Sequence, residues 1–69
     1  QKEAVYTTIA EVITKHIGYP IDVRNIKIKG AIVYIQTSPT IRNEILIHKS
    51  VILSHLQISL SENRIIDIR

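Results

Sequence analysis

Basic side chains alternate with apolar ones at one point of the chain, and they could contact the phosphates of a nucleic acid. Lys27 and Lys29 alternate with Ile26 and Ile28, which is the period of a strand with one buried face. If the isoleucines face the core, both lysines share the opposite face with Tyr34. Cations beside an aromatic ring are typical of single-stranded nucleic-acid surfaces, because phosphates pair with the cations and a base stacks on the ring. The residues that predict such a surface are Arg24, Lys27, Lys29, Tyr34 and Arg69. The alternative interpretation is that these lysines form the exposed face of a solvated strand and bind no partner.

Histidines are the other residues whose side chains could bind a metal ion or carry a charge. Glu44, His48 and His55 are spaced i, i+4 and i+11 in a predicted helix, and i, i+4 pairs can hold a metal ion. A fourth ligand is not apparent, so we predict a solvated polar stripe and no metal site. His16 lies in the last turn of an earlier predicted helix, where a protonated imidazole interacts favourably with the helix dipole.

The sequence predicts no catalytic site. The chain has no Cys, and its two glycines stand alone rather than in a phosphate-binding loop. Nothing in the spacing of the six acidic residues marks a pair for acid–base chemistry. A chain of 69 residues also has little room for a closed cleft. We therefore expect neither an enzyme nor a cofactor.

Hydrophobic periodicity predicts the elements that position these residues. The predicted order is α-β-β-α-β, with two helices on one face of a three-stranded sheet. In the last strand, Ile66 and Ile68 are predicted to point one way, and Ile65, Asp67 and Arg69 the other. The predicted elements are a helix from Glu3 to Ile17, a strand from Asp22 to Lys29, a Gly30-Ala31 turn, a strand from Ile32 to Thr37, a helix from Ser38-Pro39 to about Leu60, and a strand from Arg64 to Arg69.

The long predicted helix carries a second apolar stripe. Ile47, Val51 and Ile58 fall together, away from the stripe that begins at Ile41 and Ile45. A helix that covers a small sheet needs only one stripe. We infer either a docking surface for another chain or a second copy, or a structural cause. The structural cause is that the first helix packs there, or that the long helix bends near residues 48–50.

Composition limits the class of protein. A chain of 69 residues is one domain, spanning residues 1–69, and is predicted to be a small α+β fold. The absence of Cys favours the reducing cytoplasm, and no apolar run is long enough to predict a membrane span. The net charge of +3 permits nucleic-acid binding, although a soluble domain that binds no nucleic acid is equally consistent with this charge.

The region from Asn25 to Arg69 resembles the DciA-type family of bacterial replicative-helicase loaders. The resemblance lies in NIKIKGAIVYIQTSPTIRNEILIHKSVILSHL and in the final ENRIIDIR. It includes the Glu44-Ile45 pair and a closing strand that ends in Ile68-Arg69. The resemblance implies a KH-like α-β-β-α-β fold, DNA binding and contact with the hexameric replicative helicase. Its candidate contact residues, chosen for charge, are Lys27, Lys29, Arg42, Lys49 and Arg69.

These observations lead to one functional hypothesis and two alternatives. The first is a non-enzymatic cytoplasmic module that binds single-stranded or tailed DNA and the replicative helicase. The second is a protein-interaction or self-assembly module, forming homo-oligomers through Ile47, Val51 and Ile58 without binding nucleic acid. The third is an RNA-binding or ribosome-associated domain, which rests only on the KH-like topology.

Overall fold

The first helix, α1 (Lys2–Ile17), matches the prediction closely in a computed structural model that describes residues 2–61 and 64–69. Its apolar residues Ile9, Val12, Ile13 and Ile17 are buried, and Ile9 and Ile13 have no exposed surface. The helix ends where predicted because Gly18 adopts a φ of 79°, a left-handed value that favours glycine. The backbone N–H of Gly18 donates to the Thr14 carbonyl at 2.8 Å.

The first strand is shorter than predicted because its beginning is a 3₁₀ helix. Residues Val23–Asn25 form this turn, and β1 covers only Ile26–Lys29. The cause is a local hydrogen bond in which the carboxylate of Asp22 accepts from the Arg24 backbone N–H at 2.9 Å. Such a side-chain-to-backbone bond offers the chain an alternative to the extended conformation.

The two-residue turn predicted at Gly30-Ala31 is confirmed. It joins β1 to β2 (Ile32–Ile35), and the strands pair antiparallel with Lys29 opposite Ile32. Gly30 has a φ of 60°, the sign that such hairpin turns need at their first central position. Beyond the end of β2, the backbone N–H of Gln36 still donates to the Asn25 carbonyl at 2.9 Å, which extends the hairpin by one pair.

The last strand, β3, covers only Asp67–Ile68 and pairs parallel with β2. The sheet order is β1-β2-β3. The prediction that Ile66 shares a face with Ile68, and that Ile65 lies on the other face, is wrong. Ile65 and Ile68 are buried, whereas Ile66 is 54% exposed. The buried positions are three residues apart because the chain before Asp67 lies outside the regular strand, where alternation does not hold.

The long predicted helix is two helices separated at His48. Helix α2 (Pro39–Ile47) begins after Ser38, whose hydroxyl accepts from the Ile41 N–H, and α3 covers Lys49–Ser59. At the junction, both the backbone N–H and the Nδ1 of His48 donate to the Glu44 carbonyl, at 3.2 and 2.9 Å. A side chain that competes for a helical carbonyl bends the helix. The helix is therefore interrupted at His48, within the residues 48–50 where a bend is one of the alternatives offered by the sequence.

The described chain is an α+β fold with three helices and a three-stranded mixed sheet. Helix α1 packs mainly on α3 and less on α2. The helices and the sheet share one apolar core, which on the strands uses Ile26, Val33, Ile35 and Ile68. The alternate strand residues are exposed or half-buried, so the sheet keeps one open face.

Candidate nucleic-acid interface

The open face of the hairpin carries the side chains that the sequence predicted for it. Ile26 is buried and Ile28 half-buried, while Lys27 and Lys29 are exposed. Tyr34 is half-buried and lies directly opposite Lys27 in the antiparallel register. The predicted strand orientation is therefore confirmed, because cross-strand partners leave a sheet on the same side.

A surface depression of about 340 Å³ lies at one end of this open face. It takes cations from three separate elements: Lys27 from β1, Arg42 from α2 and Arg69 from the residue after β3. No Asp or Glu is among the described residues that line it. We call it the basic depression, and its lining residues are Asn25, Lys27, Tyr34, Ile35, Gln36, Arg42 and Arg69.

Arg42 is held in place by the end of strand β2. The residue lies near the start of α2, where its backbone N–H donates to the Ser38 carbonyl at 2.8 Å. Its Nη2 donates to the Ile35 carbonyl at 3.0 Å. A guanidinium has five N–H donors, so this single bond orients the group and leaves donors that can reach an anion.

Arg69 is fixed by its backbone and by one carboxylate. Its N–H donates to the Val33 carbonyl at 2.7 Å, and its carbonyl accepts from the Ile35 N–H at 3.1 Å. Its Nε donates to Asp67 Oδ2 at 3.2 Å. These bonds continue the parallel ladder past β3, so the arginine side chain starts from a defined position on the sheet.

Lys49 is drawn into an ion pair and does not line the basic depression. Its Nζ lies 2.7 Å from Asp67 Oδ1. This hydrogen bond, with the Ile68 backbone N–H and Arg69, lowers the pKa of Asp67 to about 2. Asp67 therefore stays ionised at neutral pH and ties the start of α3 to β3.

Arg24 and Lys29 also lie outside the basic depression. Arg24 Nη2 is 2.8 Å from Asp22 Oδ2, and hydrogen bonds from Arg24 lower the pKa of Asp22 to about 2. Arg24 lines a different depression, of about 410 Å³, beside Tyr6 and Val23. Lys29 lies on the open face at the turn end of β1. Of seven predicted residues, the structure groups four: Lys27, Tyr34, Arg42 and Arg69.

Two amide side chains were not among the predicted contacts. Gln36 and Asn25 line the basic depression on either side of the hairpin end. The register could have indicated both, because Gln36 follows Tyr34 by two positions and Asn25 faces Gln36 across the hairpin. Amides can hydrogen-bond base edges as well as phosphates.

Comparison of the chain with protein-family models, curated proteins and solved structures found no match. The resemblance to helicase loaders therefore rests on the sequence segments quoted above.

The second apolar stripe is exposed. Ile47, Val51 and Ile58 are 73%, 52% and 80% exposed. The idea that α1 packs on this stripe is therefore wrong. We call these three residues the outer apolar stripe.

The histidines are not arranged as the spacing suggested. Within residues 2–61 and 64–69, no three His, Asp, Glu or Cys side chains are grouped to hold a metal ion. His48 bonds to the Glu44 backbone, and His55 turns towards α1, where its Nδ1 lies 3.2 Å from His16 Nε2. Desolvation lowers the pKa of His16, and electrostatic repulsion from His55 lowers it further.

In the described part of the chain, no helix is long and apolar enough to cross a membrane.

Proposed function

We propose that this domain is a non-enzymatic module that binds single-stranded DNA, or the single-stranded part of a tailed duplex, in the basic depression. The observation that supports this proposal is the convergence of Lys27, Arg42 and Arg69 around Tyr34. Three cations from three elements line the same depression as one aromatic ring, and no Asp or Glu is among its described lining residues. The carboxylate of Asp67, beside the depression, accepts from Arg69 Nε.

Each group has a matching role on a single strand. Lys27 and Arg69 contact phosphates as charges, and Arg42 uses the guanidinium donors left free by its bond to the Ile35 carbonyl. The ring of Tyr34 stacks on a base, an interaction worth about 1–3 kcal/mol per base. A stacked base must be unpaired, so this arrangement favours single strands over duplex.

The helicase-loader resemblance is the proposed biological setting. We propose that the element order α1, β1, β2, α2, α3, β3 is a KH-like arrangement, with α2 and α3 together taking the place of one helix. Under this proposal the domain acts in the cytoplasm and contacts the replicative helicase while it holds DNA. Lys49, which the resemblance nominated for DNA contact, has instead a structural role through Asp67.

The experiment is a fluorescence-anisotropy titration with labelled single-stranded, tailed and blunt duplex DNA at low salt. The double variant Lys27→Glu and Arg69→Glu is expected to weaken single-strand binding by at least tenfold. The control matched for loss of charge is Lys15→Glu combined with Arg64→Glu, because both residues are exposed and lie outside the basic depression. Equal binding by the double variant and the control would refute this site, and preference for blunt duplex would refute the role of Tyr34.

A second candidate function is self-assembly through the outer apolar stripe. Its support is the exposure of three aliphatic side chains, including an isoleucine that is 80% exposed. This function predicts oligomers that grow with protein concentration and persist at high salt. Val51→Asp should abolish them, whereas Ser54→Asp, also exposed on α3, should not. Analytical ultracentrifugation measures both, and a monomer at millimolar concentration rules this function out.

A further inference from the structure

His16 and His55 face each other across the packed helices α1 and α3. His16 Nε2 lies 3.2 Å from His55 Nδ1, and the rings meet edge to face with centroids 5.4 Å apart. Both side chains are half-buried, so solvent reaches them. We propose that these two nitrogens form a chelating site for a first-row divalent transition metal ion of the kind that prefers imidazole: Zn²⁺, Ni²⁺ or Cu²⁺.

The separation of the nitrogens suits a shared metal ion. Imidazole nitrogens bind Zn²⁺ at about 2.0–2.1 Å. Two such bonds place the nitrogens about 3.3 Å apart at a tetrahedral angle and about 2.9 Å apart at a right angle. The observed 3.2 Å lies between these values. The distance therefore allows both nitrogens to bind one ion once each ring rotates to aim its lone pair away from the other nitrogen.

The protons of the pair can rearrange without net release. In the hydrogen-bonded pair, one neutral ring donates a proton and the other accepts it. Metal binding requires a lone pair on both facing nitrogens, so the donating ring moves its proton to its other nitrogen. This is a tautomer change that leaves both imidazoles neutral.

The fold holds the two ligands close before any ion arrives. His16 precedes Ile17 and His55 precedes Leu56, and both apolar residues belong to the buried core. The described residues offer no third protein ligand, so water completes the coordination shell. Such a site exchanges its metal readily, and a bound ion cross-links α1 to α3. Because an ion that prefers the native state stabilises it, the metal raises the unfolding temperature.

Thermal unfolding followed by circular dichroism tests the site with Cu²⁺, Ni²⁺, Zn²⁺, Mn²⁺ and Mg²⁺ as probes. The unfolding midpoint of the wild-type chain should rise with metal concentration. The rise should be largest for Cu²⁺, smaller for Ni²⁺ and Zn²⁺, smaller again for Mn²⁺ and absent for Mg²⁺, following the affinity order of nitrogen ligands. His16→Gln and His55→Gln should each abolish it. His48→Gln, which removes the third histidine, should retain it.

Electron paramagnetic resonance of the Cu²⁺-loaded wild-type chain provides a readout that does not depend on folding of the variants. Coupling to two imidazole nitrogens, one from each ring, is expected. A spectrum with fewer than two imidazole nitrogens, or a thermal shift that is unchanged in His16→Gln, overturns the proposal. Because neither histidine lines the basic depression, this result is independent of DNA binding.

Discussion

Lys27 lies directly opposite Tyr34 in the antiparallel pairing of β1 and β2, and both side chains line the basic depression. A charge and an aromatic ring thus leave the sheet side by side. The two residues make different contributions to binding: Lys27 attracts a phosphate and Tyr34 stacks on a base. Each contribution can be removed by a single substitution.

Removing the ring should weaken binding without changing its salt dependence. Tyr34→Leu keeps an apolar side chain on the strand but loses the stacking face. We expect single-stranded DNA to bind roughly 5- to 150-fold more weakly, which corresponds to about 1–3 kcal/mol. Tyr34→Phe keeps the ring and should bind within about threefold of the wild type. Anisotropy titrations measure both variants, and a leucine variant that binds as tightly as the phenylalanine variant excludes stacking.

Acid should weaken the fold through Asp67. Its pKa is about 2 in the folded chain, below the ordinary value near 4 for an aspartate. The unfolded chain therefore binds this proton first as the pH falls. The stabilisation is fully present above about pH 4 and is lost as the pH falls towards 2.

Denaturant titrations between pH 2 and pH 6 measure this loss. Asp67→Asn should be less stable than the wild type at pH 6, and the difference should shrink towards pH 2. Lys49→Met removes the first cause of the shift and should raise the pKa of Asp67, which NMR titration of the carboxyl carbon reports. A difference between wild type and Asp67→Asn that stays constant with pH contradicts the ion pair.

Two adjacent isoleucines should differ sharply in their effect on stability. Ile65 is 2% exposed and Ile66 is 54% exposed. Ile65→Ala should cost about 2–5 kcal/mol, as for a buried aliphatic side chain, and Ile66→Ala less than about 1 kcal/mol. Chemical denaturation measures both. A larger loss of unfolding free energy for Ile66→Ala than for Ile65→Ala would contradict the observed burial and support the alternation predicted for the last strand.

Replacing Gly18 should strain the end of α1. The residue has a φ of 79°, yet nothing lies within 4 Å of an added Cβ. Gly18→Ala should therefore destabilise the domain by about 1–2 kcal/mol through backbone strain alone. Gly18→Asn should cost less, because asparagine tolerates the left-handed region better. Equal losses of unfolding free energy for the two variants would mean that strain is not the cause.

The sequence predicts the elements better than their ends. Periodicity identifies α1, the hairpin and the open face, because each depends on residues close in the chain. It misses the 3₁₀ helix at Val23–Asn25, which depends on one hydrogen bond that the Asp22 side chain accepts from the Arg24 backbone N–H. It also misassigns Ile66, because a two-residue strand is too short to impose alternation on its neighbours.

The candidate site is predictable only in part for the same reason. Lys27 and Tyr34 share a face by strand register, which the sequence encodes locally. Arg42 and Arg69 join them only through the packing of α2 and the parallel pairing of β3 with β2. The pairing of His16 with His55 depends on the packing of α1 against α3, which brings together two residues 39 positions apart in the chain. No local pattern indicates such contacts.

The most direct test of the central claim is the salt dependence of single-stranded DNA binding by anisotropy. The wild-type chain is compared with a variant that combines Lys27→Gln, Arg42→Gln and Arg69→Gln. Each phosphate contact contributes a slope of about 0.7 in the logarithm of affinity against the logarithm of salt concentration for single strands. The account predicts a wild-type slope about two units steeper than that of the triple variant. Equal slopes, with equal affinity at low salt, would contradict DNA binding in the basic depression.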